Sequence, residues 1–245
     1  QLGLPQVVSE FTQLPHGLIL ITGPTGSGKS TTLAAMLDSI NRSRAEHIVT
    51  LEDPIEFVHE SKKSMVNQRE VGSHTLSFSG ALRAALREDP DIILVGEMRD
   101  LETVSLAIET AQTGHLVLAT LHTSTAVGTI ERIVGMFPVE QQAHARVGLA
   151  ETLKGIVSQT LLPRKRGGRV AAFEILVGSP AVTNLIRDGK SKLLMNTMET
   201  GRRAGNRLLN DELIRLVNDG VIEFETALQR AVYTDDFLKR FNRTS

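Results

Sequence analysis

The chain of 245 residues has no cysteine and no tryptophan, and it has a single tyrosine. Without cysteine, the protein can form no disulfide bond, no thiolate zinc site and no cysteine nucleophile. The few aromatic side chains and a formal net charge of −1 argue against a basic channel that stacks nucleic-acid bases. No apolar run approaches the roughly 18 residues that a membrane span needs. These absences favour a globular protein of the cytoplasm without a transmembrane segment and without stable nucleic-acid binding.

Short apolar runs alternate with segments of helical periodicity over the first part of the chain. Strands are predicted at residues 17–22, 47–51, 65–71, 91–95 and 115–120. Helices are predicted at residues 30–43, 79–88, 101–113 and 126–136. Strands that alternate with helices predict an α/β fold with a parallel twisted sheet and helices on both faces.

The later part of the chain has a different pattern. We predict one long helix over residues 139–158, followed by a hairpin with strands at 160–162 and 170–177. The basic turn RKRGGR at 164–169 is interpreted as a solvated hairpin tip. From residue 179 onward the pattern is helical only. The sequence therefore predicts an α/β core over residues 1–178 and a small helical C-terminal region over residues 179–245.

Residues 23–30 read GPTGSGKS, which fits G-x-x-x-x-G-K-[ST] between a predicted strand and a predicted helix. Glycines let successive backbone N–H groups point at phosphate oxygens, and the following helix adds its positive N-terminal end. Lys29 is expected to reach the β- and γ-phosphates, and the Ser30 hydroxyl to bind Mg²⁺. The predicted nucleotide-binding residues are Gly23, Pro24, Thr25, Gly26, Ser27, Gly28, Lys29, Ser30 and Thr31.

Acidic residues follow two other predicted strands. P-loop proteins usually end a later apolar strand with an aspartate that holds Mg²⁺, but Gly96 stands at that position. Glu97 comes next and is expected to orient or deprotonate the attacking water. We expect the metal-side carboxylates at the end of the second strand, in the stretch EDPIE. The candidates there are Glu52, Asp53 and Glu56, and Glu56 is also a catalytic candidate.

Two histidines stand at the ends of one predicted strand, in the stretch QTGHLVLATLHT. Ligands of open parallel sheets bind beyond the carboxyl ends of the strands. We therefore expect His122, at the carboxyl end, to contact the γ-phosphate as a catalytic residue. His115, at the amino end, is expected to make a packing or subunit-interface contact.

The four motifs GPTGSGKSTT, LEDPIEF, ILVGEMRD and TGHLVLATLHT occur in this order in the motor ATPases of type IV pili and secretion systems. The chain resembles that family from about residue 4 to residue 202. The resemblance implies a RecA-like core that binds ATP and Mg²⁺ and hydrolyses ATP. It also implies a cytoplasmic homo-hexamer, peripheral at the inner membrane, that acts on the pilus platform protein there.

Within this family the chain is most similar to the retraction (PilT) branch, which powers twitching motility. Assembly ATPases of the pilus-extension and type II secretion branches usually carry a four-cysteine zinc insert, and this chain has no cysteine. The spellings GEMRD and VNQREVG are typical of the retraction branch. The retraction signature AIRNLIR reads AVTNLIR at residues 181–187, with Thr183 in place of the first arginine. An assembly ATPase therefore stays an alternative.

Family members also carry a PAS-like domain ahead of the ATPase core, whereas this chain begins shortly before Gly23. We expect that domain to have been cut away or left unrepresented, so that this chain alone forms rings weakly and turns over slowly. In a ring, an arginine of one subunit can stabilise the charge on the phosphoryl group of its neighbour. The candidates for this role are Arg83, Arg87 and Arg99, which flank the strand predicted at residues 91–95.

Two other functions use a related core. A nucleic-acid translocase would show ATPase stimulation by single-stranded DNA, although the composition argues against it. A small-molecule kinase would need an arginine-bearing lid, for which the sequence offers no candidate.

Overall fold

A computed structural model describes residues 3–244 of the chain. These residues contain one seven-stranded sheet with the order β3-β2-β4-β5-β1-β6-β7. Its strands are β1 (Gly17–Thr22), β2 (His47–Glu52), β3 (Met65–Glu70), β4 (Ile92–Val95), β5 (Leu116–Leu121), β6 (Leu153–Pro163) and β7 (Arg169–Val177). The first six strands are parallel to one another, and the edge strand β7 is antiparallel to β6.

Eleven α-helices lie within the described residues. They are α1 (Gln6–Phe11), α2 (Lys29–Ser43), α3 (Phe78–Ala85), α4 (Leu101–Gln112), α5 (Ala126–Gly135), α6 (Gln142–Thr152), α7 (Pro180–Arg187), α8 (Leu194–Thr200), α9 (Leu209–Asn218), α10 (Phe224–Arg230) and α11 (Thr234–Thr244). Within residues 3–244, no helix is both long enough and apolar enough to cross a bilayer.

The central strands consist almost entirely of apolar residues because the sheet is covered by helices on both faces. Every residue of β1 and of β5 is buried, which is typical of a parallel sheet between two helical layers. Alternate β1 side chains enter different cores. Leu18 and Leu20 pack in a cluster with side chains of α3, α4 and α5, whereas Ile19 and Ile21 pack with side chains of α1 and α2. The predicted α/β layering is therefore confirmed.

The prediction of one helix over residues 139–158 is wrong. Helix α6 ends at Thr152, and β6 begins at Leu153 beside β1. The strand brings Gly155 against α1: a Cβ at Gly155 would lie 2.2 Å from the Phe11 ring. Pairing with β1 and β7, and this close approach, override the helical periodicity of the segment. The hairpin was predicted at the right place, but its first strand is much longer than expected.

The helices after β7 pack in two places. Side chains of α7 and α8, among them Val182, Ile186 and Met198, join the same core as the sheet. Helices α9–α11 form a separate cluster around Phe237, which also contains Leu162 and Ala172 of the hairpin. The last strand ends at Val177 and helices follow, while the division of the chain between residues 178 and 179 stays a prediction.

Candidate active site

The loop between β1 and α2 has the conformation of a phosphate cradle. Gly26 and Gly28 have positive φ angles of 76° and 89°, which favour glycine. At Gly23, whose φ is also positive, a Cβ would lie 2.2 Å from the Gln159 carbonyl oxygen. Glycine is thus required at both ends of the loop, and α2 begins at Lys29 as the motif requires.

The Lys29 ammonium group lies inside this loop. Its Nζ donates hydrogen bonds to the carbonyl oxygens of Gly23 (2.8 Å) and Pro24 (3.2 Å), and it lies 3.5 Å from His122 Nδ1. Partial burial lowers the pKa of Lys29, while the charges of Glu97 and Glu56 oppose that shift. The ammonium therefore faces both the loop and the acidic edge of the sheet.

Glu97, His122 and Arg99 form a hydrogen-bonded row beside Lys29. His122 Nε2 lies 2.9 Å from Glu97 Oε1, and Arg99 Nη2 lies 2.6 Å from Glu97 Oε2. An ammonium group cannot accept a hydrogen bond, so we assign the His122 proton to Nε2, which donates it to Glu97. The Arg99 hydrogen bond, aided by His122, lowers the pKa of Glu97. Glu97 is therefore ionised at neutral pH.

Backbone contacts between the strand ends position Glu97. The Met98 N–H donates to the Thr120 carbonyl oxygen at 3.0 Å, and the Thr120 hydroxyl donates to the Gly96 carbonyl oxygen. A Cβ at Gly96 would lie only 2.9 Å from the Leu51 carbonyl oxygen. This close approach to β2 leaves no room for the aspartate that P-loop proteins usually place there.

The metal-side candidates lie at the carboxyl end of β2 and in the segment after it. Glu52 accepts hydrogen bonds from the Thr50 hydroxyl (2.6 Å) and from Gln68 Nε2 (3.0 Å). Asp53 Oδ2 lies 4.0 Å from Arg99 Nη1, and Glu56 is exposed. Over residues 3–244, no group of three or more histidine or acidic side chains is placed to hold a metal ion by itself. Mg²⁺ usually takes one or two carboxylates together with phosphate oxygens, and Ser30 with one of these residues fits that donor set.

One cavity of about 560 Å³ brings most of the predicted site residues together. Its lining includes Thr25, Gly26, Gly28, Lys29, Ser30, Thr31, Glu52, Asp53, Glu56, Glu97, Arg99 and His122. The cavity lies at the carboxyl edge of the sheet, where ligands of open α/β sheets bind.

Three predicted functional residues lie away from this row. His115 precedes β5 at the opposite edge, where its Nδ1 lies 3.0 Å from the Thr110 carbonyl oxygen and 3.1 Å from Thr113 Oγ1. Arg83 forms an exposed ion pair with Glu102 at 2.7 Å, and Arg87 is exposed. The third candidate for a trans arginine, Arg99, contacts Glu97 of its own chain, so its role in trans stays a prediction.

The sequence model of the type II/IV secretion system protein family matches residues 4–229. The chain belongs to this family. It is 55% identical to the type IV pilus retraction ATPase PilT of Pseudomonas aeruginosa over 237 residues, which are 97% of this chain and 69% of that protein. It is 52% identical to a twitching motility protein of Neisseria gonorrhoeae, over 94% of this chain and 62% of that protein.

The fold matches a solved structure of the same type. The crystal structure of the pilus retraction motor PilT with bound ADP superposes with a TM-score of 0.92 at 52% identity. The match covers 97% of this chain and 68% of that chain. The predicted resemblance to motor ATPases, with its α/β fold and nucleotide-binding class, is therefore confirmed.

Two residues near the P-loop or in the cavity are not predicted as site residues by the sequence. Gln159 falls between the helix predicted over residues 139–158 and the strand predicted over residues 160–162, yet it lies on β6 against the P-loop. Arg169 was assigned to a solvated turn, yet it lines the same cavity as His122. No motif marks either residue, because both depend on the position of the β6–β7 hairpin.

Proposed function

We propose that this chain is the catalytic core of a pilus retraction motor that hydrolyses ATP to ADP and phosphate. One observation carries the proposal: Lys29, His122 and Glu97 form a continuous row in the cavity beside the P-loop, at 3.5 Å and 2.9 Å. The retraction branch is supported by 55% identity to PilT. Because the chain spans about two thirds of its relatives' length, the activity of the whole motor is part of the proposal.

Each residue of the row is chemically suited to one task in ATP hydrolysis. Backbone N–H groups of the loop and the Lys29 ammonium bind the β- and γ-phosphates. Glu97, a carboxylate at neutral pH whose pKa Arg99 lowers further, orients the attacking water and accepts its proton. Mg²⁺, when bound, would neutralise phosphate charge, with Ser30 and one or more of Glu52, Asp53 and Glu56 to hold it.

His122 connects the phosphate side of the site with the base. Its two ring nitrogens face different partners, Lys29 and Glu97. A γ-phosphate near Lys29 competes for the ammonium, so its loss on hydrolysis changes what Nδ1 contacts. We propose that His122 reports the nucleotide state to the segment that leads into α5.

The motor is proposed to work as a homo-hexamer on the cytoplasmic side of the inner membrane, where it acts on the pilus platform protein. Arg83 and Arg87 are exposed, so a neighbouring subunit can reach them. Arg99 pairs with Glu97 and Arg83 pairs with Glu102 of the same chain, which makes Arg87 the better candidate for a trans contact.

The direct test is Lys29→Ala with the exposed Lys63→Ala as a matched control. Lys29→Ala should lower ATP turnover by at least about a hundredfold and weaken ATP binding, because a charged phosphate donor is lost. Lys63→Ala should retain full turnover. Lys29→Ala turnover within about tenfold of wild type would show that the loop is not the catalytic site.

An assembly ATPase is the second candidate, favoured by Thr183 in the retraction signature. A chimera in which residues 4–229 replace the matching segment of PilT distinguishes the two. Restored twitching in a strain without PilT supports retraction. An ATPase-active, stably expressed chimera that does not restore twitching supports the alternative.

A further inference from the structure

The side chain of Gln159 is buried against the C-terminal half of the phosphate loop and the start of α2. Gln159 is only 4% exposed. Its Nε2 donates a hydrogen bond to the Ser27 carbonyl oxygen at 2.7 Å, and its Oε1 accepts one from the Thr32 hydroxyl at 2.8 Å. One side-chain amide thus joins the residue before Gly28 to the first turn of α2, across residues 28–31.

The orientation of this amide is fixed by its partners. A carbonyl oxygen accepts hydrogen bonds only, so the amide nitrogen must face Ser27. The amide oxygen is then left for the Thr32 hydroxyl. Both contacts are buried, where an unmade hydrogen bond is costly.

The contact to Ser27 also sets the direction of the next N–H group. The Ser27 carbonyl and the Gly28 N–H belong to one planar trans peptide unit, in which they point in opposite directions. Because the carbonyl is held toward Gln159 on β6, the Gly28 N–H is turned away from β6. The positive φ of Gly28 (89°) permits this peptide orientation.

We propose that Gln159 is a positioning residue of the nucleotide site. By holding the Ser27 carbonyl, it aims the Gly28 N–H at the bound phosphates and keeps a carbonyl oxygen from turning toward them. This inference rests on the proposed nucleotide site. The contact serves ATP and ADP alike, so it contributes to binding of both and not to the chemical step.

The test compares Gln159→Met and Gln159→Glu with Thr32→Val in the 245-residue chain. Met keeps the volume without the amide, and ionised Glu keeps an acceptor for Thr32 but cannot donate to Ser27. Both Gln159 variants should raise the KM for ATP and the Kd for ADP at least about tenfold, with kcat within about threefold of wild type. Thr32→Val spares the Ser27 contact, so its KM and Kd should stay within about threefold.

The stability of each variant is measured by thermal unfolding without nucleotide. A second measurement on the wild type tests the proposal even if a variant fails to fold. Hydrogen exchange of the Gly28 amide in the wild type should slow when ADP is added. Gly28 exchange unchanged by bound ADP would overturn the proposal. So would a folded Gln159→Met with a lowered Tm but unchanged nucleotide affinity, or equal effects of Gln159→Met and Thr32→Val. A wild type that binds no ADP would instead refute the proposed function.

Discussion

Replacing Glu97 by glutamine separates proton transfer from nucleotide binding. Glutamine keeps the size of the side chain, but it cannot accept a proton from water. A positioned general base contributes roughly 10²–10⁴-fold to a reaction, so kcat should fall by at least about a hundredfold.

The cost to binding is smaller and follows from the contacts of Glu97. Its two carboxylate oxygens accept from His122 and from Arg99, and both of these partners are donors. Glutamine can accept from one of them only, and its NH₂ group then faces the other. The side chains of Arg99 and His122 are 61% and 45% exposed, so water replaces much of the lost contact. We expect a loss of about 1 kcal/mol, or about fivefold in ATP affinity.

The assay is steady-state phosphate release beside equilibrium binding of ATP and ADP. Glu109→Gln, the same substitution on the exposed face of α4, is the control and should leave both properties unchanged. A hundredfold loss of turnover with affinity within about fivefold supports the general base. Turnover within about tenfold of wild type would refute the reasoning, and lost ATP binding would make Glu97 a metal or structural residue.

Three further predictions use other parts of the structure. His122→Ala should lower kcat at least about tenfold with ADP affinity nearly unchanged. His115→Ala should keep turnover and lower Tm by about 2–4 °C, because its contacts with Thr110 and Thr113 are lost. Equal effects of the two variants on turnover and nucleotide binding would contradict this prediction. Burial raises the pKa of Glu174, so the stability due to its protonated form is present below about pH 4.3 and is lost as pH rises through the raised pKa. Urea unfolding should therefore show wild type losing stability relative to Glu174→Gln as the pH rises above about 4.3, and a pH-independent difference would exclude this titration. Thr183→Arg in the PilT chimera should increase twitching while ATP turnover in solution changes less than about twofold; unchanged twitching would mean that Thr183 does not limit retraction.

The sequence alone predicts the central strands and the phosphate loop, because the conformation of each is determined by its own residues. The residues of β1 and β5 are apolar without interruption, which predicts strands buried on both faces. The P-loop motif determines its own turn through glycines at positive φ. Because the carboxyl ends of parallel strands share one edge, the sequence also predicts that Glu97 and His122 lie near Lys29.

The sequence was insufficient where distant segments determine the outcome. Residues 153–163 contain apolar residues at spacings that suit a helix or a strand, and only pairing with β1 and β7 selects the strand. Gln159 was missed for that reason. The partners of Glu52 come from β2 itself and from Gln68 on β3, so its hydrogen bonds could not be inferred from the acidic stretch alone.

The order of the strands determines the order of charges along the site. Neighbouring strands lie roughly 4.8 Å apart, and β2, β4, β5 and β1 are consecutive in the sheet. The residues at or just after their carboxyl ends therefore form a sequence across the edge: the carboxylate of Glu52, that of Glu97, the imidazole of His122 and the ammonium of Lys29. Carboxylates at one end suit a divalent cation, and the ammonium at the other suits phosphate. His122 lies between them on β5, so its contacts link the proposed base to the phosphate cradle; had β5 been at an edge of the sheet, the same residues would have formed no such row.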